Sequence, residues 1–148
     1  MDTTASGRLR ALPSWLLTQT AHHAHRLVTE GLSEAGARGY HYRLLAALEE
    51  SGPASQATLG RRSAIHLSDL VATINELADR GLVSREPDPA DRRRNVITIT
   101  ADGRRHLKRL DKQIARIQDD LLAPLSDQER EQLTGLLSRL LRHHTPDA

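Results

Sequence analysis

Hydrophobic residues recur at helical spacing along most of the chain. Pro13-Ser14 begins a stripe of apolar residues three or four positions apart, and Gly36 to Gly39 ends it. A second helix is predicted over roughly 40–51, where Gly52-Pro53 stops it. The pattern then predicts two helices, over about 55–62 and 67–80, joined by a short turn. Two helices with so short a connection form a helix-turn-helix.

The hydrophobic period changes from helical to alternating after Gly81, which is expected to close the fourth helix. Residues 82–85 and 96–100 predict two short strands, and the second is β-branched throughout. Between them, residues 86–95 carry two prolines and three consecutive arginines. Such a sequence is incompatible with a tight turn and predicts a long exposed hairpin loop, here called the wing.

Helical spacing returns at Ala101. Five residues with spacings of 3, 4, 3 and 4 form a heptad seam, which predicts a helix packed lengthwise on others: Leu107, Leu110, Ile114, Ile117 and Leu121. Pro124 interrupts this helix. Ser126 and Glu129 form a capping box that opens a last, leucine-rich helix. The predicted fold class is therefore mainly α with a small β-hairpin.

Length and composition narrow the function classes. A chain of 148 residues suits one domain, expected over 13–148 behind a flexible tail over 1–12. The absence of cysteine excludes disulfides, thiolate metal sites and thiol nucleophiles. No apolar run is long enough to span a membrane, and Met1 to Thr4 lacks the start of a secretory signal, so a cytoplasmic protein is expected.

Positive charge is concentrated around the wing. Residues 84–109 hold eight Arg or Lys and four acidic residues, a local net of +4 within a chain of formal net charge +2. Basic side chains on an exposed loop neutralise phosphates and release counterions, which favours salt-sensitive binding to nucleic acid. The wing has no aromatic residue on which single-stranded bases could stack. Together with the helix-turn-helix pattern, the charge favours binding to double-stranded DNA.

The residues around the wing resemble those of a known family. Gly81-Leu82-Val83 with Arg85, then Asp88-Pro89-Ala90-Asp91-Arg92-Arg93, and Ile97-Thr98-Ile99-Thr100 with Gly103 are similar to the wing signature of MarR-type regulators. The resemblance extends over about 14–144. It implies a homodimeric bacterial winged helix-turn-helix repressor of adjacent genes, released from a pseudo-palindromic operator by a small ligand, often a phenol or aromatic acid. It also implies dimerisation through 13–36 and 101–148 and a DNA-binding core over 37–100.

The helix predicted over 67–80 is expected to place its first turns in the major groove. Leu67, Leu70, Val71, Ile74 and Leu77 are expected to face inward. The opposite face carries Ala72 and the candidate DNA-contacting residues His66, Ser68, Asp69 and Thr73. Asp69 could accept from a cytosine amino group, or it could simply favour the helix N-terminus. The family often has an arginine at the position of Ala72.

Arginines are expected to make the remaining DNA contacts. Arg61 and Arg62, at the end of the preceding helix, are expected to reach phosphates. In the wing, Arg93 matches the family's tip arginine, which suits a narrow minor groove. Asp91 resembles its positioning partner, and a carboxylate beside three arginines stays ionised rather than acting as a catalytic acid. Arg92 and Arg94 are expected to contact the DNA backbone or to remain solvated.

The three aromatic residues lie together near the start of the chain. Candidate ligand-binding residues on the first two helices are Trp15, His22, Arg26, Tyr40, His41, Tyr42 and Arg43. Such residues suit an aromatic anion through stacking and charge-assisted hydrogen bonds. The alternative is that the aromatic side chains pack the dimer interface.

Two other functions remain open from sequence. Eight histidines suggest a metal-responsive regulator of the same fold, although acidic ligands near them are few and no cofactor or metal is predicted. A winged-helix protein-interaction module is the other alternative. An enzyme is not expected, because no glycine-rich phosphate loop, nucleophile elbow or paired-carboxylate cleft is visible.

Overall fold

The computed structural model describes residues 5–146, which form seven helices and a sheet of three short strands. The element order confirms the predicted fold class. The elements are α1 (Gly7–Arg10), α2 (Pro13–Glu34), α3 (Gly39–Ser51), β1 (Ala54–Ser55), α4 (Gln56–Ser63), α5 (Leu67–Asp79), β2 (Val83–Pro87), β3 (Asn95–Ile99), α6 (Ala101–Leu121) and α7 (Asp127–His144).

Side-chain caps explain where three of the helices begin. The Ser55 hydroxyl accepts from the Thr58 N–H at 3.3 Å at the start of α4. Thr100 caps α6 in the same way, accepting from Gly103 N–H at 3.0 Å. The capping box of α7 is complete, because Ser126 accepts from Glu129 N–H and the Glu129 carboxylate accepts from Ser126 N–H. These donors would otherwise lack a partner within the helix.

Within the tail predicted over 1–12, residues 7–10 form the one-turn helix α1. The Ser6 hydroxyl accepts from Leu9 N–H at 3.4 Å and caps this turn. Helix α1 has only four residues, too few to show a helical period of apolar positions, so the sequence pattern did not predict it. Met1 to Thr4, on which the secretory-signal prediction rests, lie outside the described residues.

The hairpin predicted from the change of period is present, with a third strand added. β3 is central and antiparallel to both neighbours, in the order β1-β3-β2. Val83 faces Ile99 across the hairpin, and Ala54 faces Ile97 on the other side. Two residues of β1 are too few to show alternation in sequence. This pairing fixes the start of α4 beside the base of the wing.

The heptad seam packs within the chain. Leu107, Leu110 and Ile117 of α6 are buried with residues of α2 and α3. Gly103 permits the start of α6 to approach Leu82, the residue before β2, since a Cβ there would clash with the Leu82 carbonyl oxygen. The leucines of α7, by contrast, are largely exposed. Among residues 5–146, none of the helices has the length and apolar character needed to cross a membrane.

Candidate nucleic-acid interface

Helix α5, here called the recognition helix, follows α4 after a three-residue turn. The turn is made by Ala64, which takes a left-handed conformation with φ of 55° and donates its N–H to the Gly60 carbonyl. Arg61 and Arg62 are exposed in the last turn of α4. This arrangement presents two guanidinium groups beside the start of the recognition helix, as expected from sequence.

The exposed face of the recognition helix differs from the predicted one. His66, Ser68, Asp69 and Ala72 are exposed, as expected. Thr73 is not: only 1% of it is exposed, and its hydroxyl donates to the Asp69 carbonyl at 2.7 Å. With its hydroxyl bonded one turn back, the threonine packs its methyl group inward. The prediction that Thr73 contacts DNA is therefore wrong.

Two residues predicted to face inward are instead exposed. Leu67 is 65% exposed and Val71 is 40% exposed. The buried stripe of the recognition helix consists of Leu70, Thr73, Ile74 and Leu77. Because Thr73 lies in the buried stripe, the stripe is rotated around the helix axis relative to the predicted one. Leu67 and Val71 therefore lie on the exposed face. The inward prediction failed because hydrophobicity alone favoured the two aliphatic residues over the threonine.

The wing is held by hydrogen bonds of two aspartates. Asp88 N–H donates to the Arg94 carbonyl at 2.8 Å and closes the loop. Asp91 Oδ1 accepts from the Arg93 N–H at 3.1 Å, while its carboxylate lies 3.9 Å from Arg93 Nε and 3.8 Å from Arg94 Nε. The Arg93 side chain is almost fully exposed. This geometry supports a positioning role for Asp91, with Arg93 presented at the tip of the wing.

A groove of about 570 Å³ lies between α4, the start of the recognition helix and the wing. Three guanidinium groups line it, and none of its lining residues is acidic. Such a concave cationic surface raises the local concentration of an anionic polymer. The lining residues are Ser55, Gln56, Ala57, Thr58, Arg61, Leu67, Arg93, Arg94 and Asn95.

Four polar residues of the groove were missed by sequence reasoning. Ser55, Gln56 and Thr58 surround the start of α4, and Asn95 begins β3. Their hydroxyl and amide groups can hydrogen-bond to phosphate or sugar oxygens. The pairing of β1 with β3 brings them together, and the sequence gives no signal for a two-residue strand.

The seven candidate ligand residues do not converge on one pocket within the described chain. On α2, Trp15 is half-buried, His22 is exposed, and Arg26 pairs with Glu30 at 3.5 Å. On α3, Tyr40 donates to Asp69 at 3.5 Å, and the Arg43 guanidinium lies 5.8 Å from the Tyr40 ring centre while also donating to the Ala64 carbonyl. These α3 residues connect to the recognition helix and the turn before it.

Tyr42 faces a different helix. Its hydroxyl donates to Asp111 of α6 at 2.9 Å. Burial raises the pKa of Tyr42 to about 12, with further contributions from the hydrogen bond and charge of Asp111 and the charge of Glu50. The phenol therefore stays protonated at neutral pH and acts as a hydrogen-bond donor between α3 and α6.

Two buried histidines lie at the junction of α3, α5 and α6. His41 Nδ1 accepts from the Arg38 N–H at 3.2 Å, and His41 Nε2 lies 2.8 Å from the Glu76 carboxylate, which also pairs with the Arg38 guanidinium. The hydrogen bond from His41 lowers the pKa of Glu76, and Arg38 adds to this effect. Glu76 was missed from sequence because a carboxylate within a helix has the pattern of an ordinary exposed residue.

His106 is the second buried histidine. Its Nδ1 lies 3.3 Å from an Arg109 guanidinium nitrogen, and its Nε2 has no hydrogen-bond partner among the residues described. Burial lowers the pKa of His106, and the charges of Arg80, Arg109 and His41 lower it further. Within residues 5–146, no group of three or more His, Asp or Glu side chains is arranged to hold a metal ion.

The helix-turn-helix, the three-stranded sheet and the basic wing define a winged helix-turn-helix protein. The model of the MarR family matches residues 30–94. A solved structure of a transcriptional regulator from Pseudomonas aeruginosa is 33% identical, covers 89% of this chain and 98% of its own, and superposes with a TM-score of 0.78. The chain belongs to the MarR family, whose members are transcriptional regulators and not enzymes.

Two further relatives are similar over most of the chain. A regulatory protein for the hcr operon of Thauera aromatica is 36% identical over 101 residues, which are 68% of this chain and 61% of that protein. The PcaV regulator of Streptomyces coelicolor, solved with its natural ligand, is 29% identical, covers 93% of this chain and 97% of its own, and has a TM-score of 0.77. The chain spans about 60% of the length of the curated relatives it matches.

Proposed function

We propose that this protein binds an operator in double-stranded DNA as a homodimer and represses the adjacent genes. The observation that carries the proposal is the cationic groove between the recognition helix and the wing, with Arg61, Arg93 and Arg94 along it. The recognition helix on one side of this protein groove can enter the major groove of DNA. The guanidinium groups along it can neutralise phosphates. Arg62 and Arg92, next in sequence to Arg61 and Arg93, are exposed and add to the basic surface.

The homodimer is supported by exposed apolar side chains at both ends of the chain. Leu12, Leu16 and Leu17 near the start of α2 are exposed, as are four leucines of α7: Leu136, Leu137, Leu140 and Leu141. Leucines in this number are costly to leave in water, and a second copy of the chain can cover them. Two-fold symmetry then predicts an inverted-repeat operator with half-sites about one helical turn apart.

Release by a small aromatic ligand is the second part of the proposal. The Streptomyces relative has a natural ligand, which supports ligand control in this family. In this chain, Tyr40, His41, Tyr42 and Arg43 link α3 to the recognition helix, to α6 and to the intervening turn. A ligand that competed for these hydrogen bonds would shift the recognition helix. Trp15, His22 and Arg26 of α2 do not share a pocket with the α3 residues, so the α3 residues are the proposed ligand contacts. Acting on chromosomal DNA, the protein would work in the cytoplasm.

Selection from a pool of random DNA duplexes tests DNA recognition directly. We expect enrichment of one inverted repeat, bound in competition with unrelated duplex. A control variant, Arg116→Ala, removes an exposed arginine of α6 that lies outside the groove and is expected to select the same sequence. If the folded protein enriches no sequence, it is not an operator-binding regulator, and a protein-interaction module becomes the better hypothesis.

A further inference from the structure

The exposed face of the recognition helix carries aliphatic side chains beside the polar residues His66, Ser68 and Asp69. Leu67 and Val71 are 65% and 40% exposed, and Ala72 beside them is also exposed. Residues 66–79 contain no arginine or lysine. The first turns of the helix therefore expose aliphatic side chains, and no basic ones, on the surface proposed to face DNA.

The side-chain composition of this exposed face favours contact with some bases over others. Guanine is most often recognised by a bidentate arginine or lysine, and the recognition helix has neither. The C5-methyl of thymine is the apolar group that a base pair offers in the major groove. Aliphatic side chains on this face consequently match thymine better than they match any other base.

The surroundings of Leu67 indicate that its partner carries negative charge. Leu67 lines the same groove as Arg61, Arg93 and Arg94. A partner for this surface must offer anionic groups and apolar groups within a few ångströms of each other. Duplex DNA does so, since phosphates flank the major groove in which the thymine methyl groups lie.

We propose that Leu67 and Val71 determine operator specificity by contacting thymine methyl groups in each half-site. The two residues are four positions apart, on one side of the helix and about 6 Å apart along its axis. Consecutive bases of one strand are about 3.4 Å apart, so the two contacts span about two base steps. Asp69 lies about half a turn around the helix from both residues, and its carboxylate accepts from the Tyr40 hydroxyl at 3.5 Å, which links the start of this helix to α3. This inference rests on the proposed DNA binding.

Replacement of thymine by uracil tests the proposal, because uracil lacks only the methyl group. Each thymine of the selected operator is replaced in turn, and affinity is measured by fluorescence anisotropy. We expect about a four-fold loss of affinity at one or two positions per half-site, as for one buried methyl group. The Leu67→Ala and Val71→Ala variants are each expected to bind the thymine and uracil duplexes equally at one of these positions.

A matched variant separates a local effect from a general one. Leu9→Ala truncates an exposed leucine of α1, which does not line the groove, and should keep the full preference for thymine. If the native protein binds its operator but never distinguishes thymine from uracil, methyl recognition is wrong while DNA binding stands. If both aliphatic variants retain the preference, these residues face solvent or a protein partner and the proposal fails. Failure to select any operator would instead overturn the proposed function.

Discussion

His41 and Glu76 form a hydrogen bond of 2.8 Å that joins the start of α3 to the recognition helix. Because His41 Nδ1 accepts from the Arg38 N–H, the neutral ring carries its proton on Nε2 and donates it to Glu76. His41 is 5% exposed, so water cannot readily replace this bond. One buried imidazole thus caps a helix and fixes the orientation of the helix proposed to enter DNA.

Removing this imidazole is expected to destabilise the fold. His41→Ala should lower the free energy of unfolding by about 1–3 kcal/mol, because a buried hydrogen-bonding group and its packing are lost. Urea denaturation measures the change. Glu76→Gln keeps an oxygen that accepts from His41 and should cost less. Equal stability of His41→Ala and the native protein would show that the hydrogen bond is not structural.

The stability of the protein is expected to fall as the solution is acidified, with His106 responsible for the first part. Burial holds the pKa of folded His106 below its usual value of 6.5, and electrostatic interaction with Arg80, Arg109 and His41 lowers it further. The unfolded chain therefore binds more protons, and stability decreases as the pH falls from 6.5 through the folded pKa. Thermal unfolding between pH 7.5 and 5 follows the loss.

A leucine at position 106 isolates this effect. His106→Leu removes the titrating ring and its buried unpartnered Nε2, so the melting temperature should depend less on pH over the same range. Below pH 4.5 the variant should still lose stability, because the folded pKa of Glu76 is lowered and its ionised form stabilises the fold above that value. An unchanged pH profile above pH 5 would rule out His106 as the cause.

Gly103 is expected to tolerate no side chain. A Cβ at this position would clash with the Leu82 carbonyl oxygen and lie 2.8 Å from Ile99 Cγ1, so α6 would have to move away from the sheet. Gly103→Ala should destabilise the protein by roughly 1–3 kcal/mol, which thermal denaturation can measure. The control is Gly39→Ala in the first turn of α3, where no atom lies within 4 Å of the added methyl. Similar melting temperatures for the two variants would contradict the close packing of α6.

The wing should act through Arg93 and be positioned by Asp91. Arg93→Ala is expected to weaken operator binding by roughly 1–3 kcal/mol without changing the melting temperature. Asp91→Asn retains an oxygen that accepts from the Arg93 N–H but loses the charge beside two arginines, so its effect should be smaller. Anisotropy titrations measure both, with Arg116→Ala as the charge-matched control. A larger loss for Asp91→Asn than for Arg93→Ala would contradict this division of roles.

Much of the fold could be predicted from periodicity and capping residues. Serine, threonine, glycine or proline marks the start of α2, α4, α6 and α7 and the end of α3, and the wing follows from the prolines and arginines between two short strands. What failed were choices that depend on tertiary context. Burial of Thr73 in place of Val71 reflects a hydroxyl bonded to Asp69, and hydrophobicity gives no signal for that bond.

The site was only partly predictable for the same reason. The arginines stand out by their charge, and their local order in the wing matches a known motif. Ser55, Gln56 and Asn95 join the groove through strand pairing that involves two residues of β1. Glu76 hydrogen-bonds to His41, which lies thirty-five positions earlier in the chain. Contacts of this kind are set by packing between helices and leave no regular spacing in the sequence.

The salt dependence of operator affinity is the decisive measurement for DNA binding through the cationic groove. We expect the logarithm of the association constant to fall linearly with the logarithm of salt concentration, with a slope of several units, about one unit shallower for Arg93→Ala. The same anisotropy titration at a series of salt concentrations gives both slopes. An affinity for duplex DNA that does not change with salt, or no binding of the folded dimer at low salt, would contradict the claim.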